Sequence, residues 1–232
     1  MSLRPRLSFS IGLLGSLLLT IPIVANANLI SNGNFATSDL TDWSPFVTAN
    51  GTNGPSGLPT VVSFNTTGSG ASNSAQFDVG EVSADGTQQG GGISQTINVT
   101  SGGLYTFSAA IASQDDADGQ INSSAGLFAI LINGTTEASV NLGAFSSPDQ
   151  VLLGTLSGSV DLTPGTDTFS VEITRPYISA GTATPTEYVT DISLNSAVPA
   201  VPEPTTLSLL GLGLAGVGFM RRRKASYFPA QK

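Results

Sequence analysis

The chain contains no Cys and no His, so any chemistry it performs rests on carboxylates, hydroxyls, amides and aromatic rings. His-based nucleophile systems, disulfide frameworks and zinc sites with nitrogen and sulfur ligands are excluded at once. The densest acidic run is Asp115-Asp116-Ala117-Asp118-Gly119. Asp116, Asp118 and a turn carbonyl there could face one calcium ion, and the same residues equally suit a solvated turn. A glycoside hydrolase needs two carboxylates placed across a sugar, one with a raised pKa. Residues 28–200 hold fifteen acids, and nothing in the spacing singles out such a pair, so the chain is expected to be non-catalytic, with a glycan-active enzyme as the alternative. Phe46, Phe145 and Tyr177 lie near expected loops, where a ring could stack on a sugar. The lone Trp43 is expected in the core instead.

The elements that must position these residues read as β throughout. Tyr105, Phe107, Ala109 and Ile111 alternate along Leu104–Ala112, and Phe169, Val171 and Ile173 alternate with Ser170, Glu172 and Thr174. Period-two alternation marks half-buried strands. Leu127–Ile132 is apolar without a break and is expected to be covered on both faces. Further strands are expected at Thr60–Phe64, Ser74–Val79, Ile93–Val99, Val151–Val160 and Glu187–Leu194, with a first strand at Asn28–Phe35. Asn133-Gly134 is a two-residue hairpin signal between Leu127–Ile132 and Thr135–Val140. Short strands punctuated by turn residues indicate an all-β, jelly-roll type sandwich.

Charge divides the chain into three parts. Of the eight basic residues only Arg175 lies between Arg6 and Arg221, so residues 28–200 carry 1 − 15 = −14. Such a body repels nucleic acid and anionic lipid, and leaves basic proteins, divalent cations and neutral polysaccharide as compatible partners. Residues 1–27 read as a secretory signal peptide: Arg4 and Arg6, an apolar stretch from Ile11 to Val24, then Ala25-Asn26-Ala27 as a site for signal peptidase. Residues 28–197 are the sandwich passenger. Residues 198–232 hold a linker, Val201-Pro202-Glu203-Pro204, an uncharged stretch over 205–220 and the basic cluster Arg221-Arg222-Arg223-Lys224. An apolar helix stopped by basic residues is what a membrane anchor with a cytoplasmic C-terminus requires. At about 16 residues it is short for comfortable spanning.

That tail, from Val201 to Lys224, resembles the PEP-CTERM sorting signal of Gram-negative bacteria; the same C-terminal element also carries an ice-binding label in some families. The resemblance implies recognition of Val201, Pro202, Glu203, Pro204, Arg221, Arg222 and Arg223 by exosortase. It also implies a passenger tethered in the inner membrane, then released or attached at the cell surface. The passenger has no regular Thr-x-Thr ladder, so an ice-binding plane is not expected. Its Asn28-Leu-Ile-Ser-Asn-Gly-Asn-Phe35 opening, with Trp43 soon after, resembles galactose-binding-like jelly rolls, among them carbohydrate-binding modules. Ile93–Phe107 and the closing Tyr188–Leu194 resemble the same group. In many such domains an acid after the Phe and an Asp of the last strand hold structural calcium. Here Asp191 matches the Asp, while Ala36 stands where the other acid belongs. The resemblances together imply an exported surface or extracellular-matrix protein that engages exopolysaccharide, or one of purely structural role.

Overall fold

The structure, a computed structural model, describes residues 27–115, 121, 123–177 and 185–197. The expected signal helix, the 205–220 helix and the whole sorting element therefore lie outside the described residues. Among the described residues no helix is long and apolar enough to cross a membrane.

The described residues form twelve strands: β1 Ser44–Val47, β2 Gly51–Thr52, β3 Thr60–Phe64, β4 Ser72–Phe77, β5 Gly80–Glu81, β6 Gln88–Val99, β7 Gly103–Gln114, β8 Leu127–Ile132, β9 Thr135–Asn141, β10 Val151–Leu162, β11 Gly165–Pro176 and β12 Thr186–Ser196. Two five-stranded sheets, in the orders β1-β6-β11-β8-β9 and β10-β7-β12-β4-β3, carry the fold, and β2 and β5 pair beside them. The strands pair antiparallel throughout. The expected β-sandwich is therefore the architecture observed.

Alternation decides which side chains face between the sheets. In β7, Tyr105, Phe107, Ala109 and Ile111 point inward and are at most 4% exposed, while Leu104 on the other face is 42% exposed. β6 contributes Ile93, Ile97 and Val99 from the opposing sheet, and β11 contributes Phe169, Val171 and Ile173. Each such fully buried side chain stabilises the fold by roughly 1.5–3 kcal/mol relative to exposure. Trp43 joins this core, as expected; it lies 6.2 Å from Phe35 and 6.4 Å from Phe169 by ring centroid. Its indole N–H donates to the Asn32 carbonyl at 3.1 Å.

The hairpin at Asn133-Gly134 forms with φ of 51° and 79°, the left-handed pair that a type I′ turn demands. Asn133 also docks the turn on β11: its Oδ1 accepts from Thr168 N–H and its Nδ2 donates to Asp167.

Two expectations need correction. Asn28–Phe35 is not a strand. It runs along β12 through Leu29 N–H to Leu194 O and Ile192 N–H to Gly33 O, but Asn32 and Phe35 both have positive φ. Asn28 Oδ1 accepts from the amides of Ile30 and Leu194, so local side-chain bonds replace a ladder. β8, expected to be covered on both faces, buries Phe128, Ala129, Ile130 and Ile132 but leaves Leu127 and Leu131 half-buried. Its outer face is only partly covered.

Candidate functional site

The residues singled out in the sequence separate in space. Phe46 is half-buried in the edge strand β1, where it is level with Gly92 of β6. Gly92 is in turn level with Glu172 of β11. Strand spacing sets Phe46 and Glu172 about 10 Å apart on the outer face, with a bare glycine between them. Tyr177, 39% exposed, lies five residues beyond Glu172, about 16 Å further along the strand, so it does not share a platform with Phe46. Phe145 is only 5% exposed: the loop that carries it tucks the ring inward, which removes it as a ligand-facing residue. Asp116 and Asp118 lie outside the described residues.

Asp191 sits at a bulge in β12, at φ 51°, beside a concavity of about 350 Å³ with Asn28, Asn32 and Asn34. The side-chain oxygens of those asparagines already accept backbone N–H groups of Ile30, Thr37 and Ala36. Calcium takes six to eight oxygens, several of them charged. Among the described residues no cluster of three acids forms that could hold a metal, so Asp191 has little to share with an ion.

The face built around Gly92 is the better site. Glycines at 90 and 92 let β11 approach β6 closely: a Cβ at Gly92 would stand 2.0 Å from the Val171 carbonyl oxygen. Further along the same face, Ser44, Ser94 and Ser170 form one row across three strands, and Thr96 and Thr168 the next. Beyond them a concavity of about 530 Å³ is lined by Asn28, Ser31, Asp42 and Asn98 together with Ser44, Ser94, Thr96 and Thr168. Gln95, buried beneath, holds its rim: it accepts from Ser31 N–H at 2.8 Å and donates to the carbonyls of Ser31 and Asp42 at 3.0 Å. Partial burial raises the Glu172 carboxyl above its ordinary value. The face thus offers one apolar ring, the carboxyls of Glu172 and Asp42, and rows of neutral donors and acceptors.

A buried charge cluster, which sequence reasoning passed over, anchors one end of the sandwich. Arg175 and Glu187 are both 0% exposed, with Nε and Oε1 3.6 Å apart. Arg175 donates to the carbonyls of Ser124 and Val79, and Glu187 Oε2 accepts from Val79 N–H at 3.0 Å. Asp78 and Asp115 also act on Arg175. Burial pushes the Glu187 carboxyl up to about 8, against the pull of Arg175. Because Arg175 is the only base among residues 28–200 and is buried, no side-chain cation of the passenger reaches its surface. Elsewhere, Phe64 of β3 stacks on Tyr188 of β12 at 3.6 Å, and a groove of about 380 Å³ opens between Thr66, Thr67, Leu153 and Thr155.

The family described as the PEP-CTERM protein-sorting motif matches residues 200–224. The chain carries a PEP-CTERM sorting signal. That signal implies an exported protein processed by exosortase, and it spans only the tail. A comparison with curated proteins gives no match. Among solved structures, the sandwich is similar to TmCBM61 in complex with β-1,4-galactotriose, at 14% identity and TM-score 0.44, covering 73% of this chain and 99% of that one. The CBM22-1 xylan-binding domain of Paenibacillus barcinonensis Xyn10C follows at 13% identity and TM-score 0.39, over 75% and 98%. A Stig cyclase, Fisc, from Fischerella sp. TAU has 14% identity and TM-score 0.45, over 76% and 100%. Carbohydrate-binding modules and a cyclase stand alike in this comparison, so the likeness assigns no ligand to the PEP-CTERM passenger.

Proposed function

We propose that the protein is an exported, non-catalytic surface or matrix protein whose passenger binds neutral polysaccharide on the outer face of β1, β6 and β11. The observation that carries this is the row Phe46–Gly92–Glu172 beside rows of hydroxyls. An apolar ring can cover the C–H face of a sugar while neutral donors and acceptors meet its hydroxyls. The lack of any side-chain cation at the surface favours neutral polymers over polyuronates and sulfated chains. On this reading, signal peptidase cuts after Ala27, the 205–220 segment tethers the chain in the inner membrane, and exosortase then acts at Pro202-Glu203-Pro204.

A glycosidase reading finds no support on this face. Asp42 lies in the turn before β1, at φ 71°, and lines the concavity beyond the hydroxyl rows, a lining that does not include Glu172, so the two carboxyls do not face one shared pocket. Glycosidases hold their two carboxyls about 5–9.5 Å apart across one sugar.

The test is a glycan array probed with the mature exported protein. Neutral polymers are expected to bind, with Phe46→Ala weakening binding by about 1–2 kcal/mol, or roughly 5–30-fold, and Tyr177→Ala leaving it intact. Silence toward neutral polymers, or equal loss on Tyr177→Ala, would remove the face from the proposal. Deleting residues 201–232 is expected to change the protein's destination and mature mass; an unchanged destination would count against sorting.

A further inference from the structure

A sandwich of two open sheets has four edge strands, and open edges invite pairing unless they are blunted. Here three are blunted. β1 has four residues and contains Pro45. β3 has five and starts directly after Pro59. β9 is broken in register against β8 between Ile130 and Leu131 and carries Glu137. The fourth, β10, is long, free of proline and unbroken in register. Its twelve residues pair with β7 in unbroken register from Val151–Gln114 to Leu162–Gly103. It contains no Pro, no Lys or Arg, and a single charge, Asp161. Among the described residues no backbone hydrogen bond from another segment reaches its free side. Val151 and Leu153 stand 40% and 46% exposed along it.

We propose that β10 is a self-association edge, and that its occupant is β10 of a second copy, added antiparallel about a two-fold axis at Leu156. Opposite residues in an antiparallel pair share a face, and this axis satisfies that rule along the whole strand. On the inner face it sets Leu152 opposite Val160, Gly154 opposite Gly158 and Leu156 opposite its own copy. On the outer face it sets Thr155 opposite Ser157, Leu153 opposite Ser159 and Val151 opposite Asp161. The single charge therefore never meets its like, and each glycine meets a glycine. About 40 Å of edge closes with roughly a dozen backbone hydrogen bonds, and the two sheets join into one ten-stranded sheet. The bodies carry −14 each by sequence, so salt screens their repulsion and strengthens this association.

The chain has no cysteine, which makes the register directly testable in the full exported protein. With Thr155→Cys and Ser157→Cys together, opposite Cα atoms fall within disulfide range, and mild oxidation is expected to give a covalent dimer. Leu153→Cys with Ser157→Cys places no thiol opposite another, and is expected to give no covalent dimer; cross-linking as fast as the first pair would mean random collision and overturn the proposal. Independently, light scattering of the unmodified protein is expected to report a dimer that tightens with salt. Thr155→Glu, an exposed position, brings two carboxylates to a diagonal separation of about 7 Å and is expected to weaken the dimer at least tenfold. A wild-type protein that stays monomeric up to about 100 μM, short of a weak association constant, or a Thr155→Glu dimer of undiminished strength, would overturn it.

Discussion

Replacing Arg175 by Met tests the buried cluster most directly. Met retains most of the apolar stem and removes the guanidinium, which bonds the carbonyls of Ser124 and Val79 and pairs with Glu187 at 3.6 Å. At pH 6 Glu187, whose carboxyl titrates near 8, holds its proton, so the groups that lose a counter-charge are Asp78 and the buried Asp115. The loss then combines two unpaired carbonyls at about 1–3 kcal/mol each with the counter-charge withdrawn from Asp115 and Asp78, in all roughly 3–5 kcal/mol. For a body of this size that corresponds to a Tm drop of about 10 °C. Scanning calorimetry of the purified protein at pH 6 measures it. Adding Glu187→Gln to Arg175→Met is expected to cost little more, because the glutamine oxygen still accepts from Val79 N–H. A Tm drop below about 2 °C for Arg175→Met would refute the claim that the cluster holds this end of the sandwich together.

Three further outcomes follow from the same geometry. Because the folded-state pKa of Glu187 is raised from 4.5 to about 8, its proton contributes stability that is complete below about pH 4.5 and lost as pH rises through 8; Tm should fall between pH 6 and 9, and Glu187→Gln should flatten that slope. Gly92→Ala, whose Cβ would meet the Val171 carbonyl at 2.0 Å, forces β11 outward and should cost about 1–3 kcal/mol in denaturant unfolding. Asp191→Gly places a glycine at φ 51° and should hold stability within about 1 kcal/mol, with no calcium-dependent Tm shift to lose; a calcium-induced rise in Tm that this substitution abolishes would restore the metal reading.

Much of the sandwich was legible because its strands obey one rule. Thr60–Phe64 and Leu127–Ile132 have the expected bounds, and β6, β7, β10 and β11 extend the expected strands by a few residues at their ends. β1 escaped notice because Ser-Pro-Phe-Val is short and half exposed on both sides. Asn28–Phe35 misled because Asn and Gly are turn residues embedded among Leu, Ile and Phe, and turn chemistry prevailed over the apolar pattern. Phe145 misled because a loop residue can bury its ring, and position alone carries no depth. Arg175 was in principle readable: Phe169, Val171 and Ile173 point inward, and the same parity carries Arg175 into the core. Its inward-facing partner Glu187 comes just before the bulge at Asp191, and no local pattern links the two across the sheet.

The single buried base also governs how this passenger meets proteases. Between Arg6 and Arg221 the only Lys or Arg is Arg175, and Pro176 follows it. Trypsin-like enzymes cleave after basic residues and are blocked by a following proline. The passenger therefore offers them no bond to cut, folded or unfolded, and its survival outside the cell against that class of enzyme does not depend on its stability.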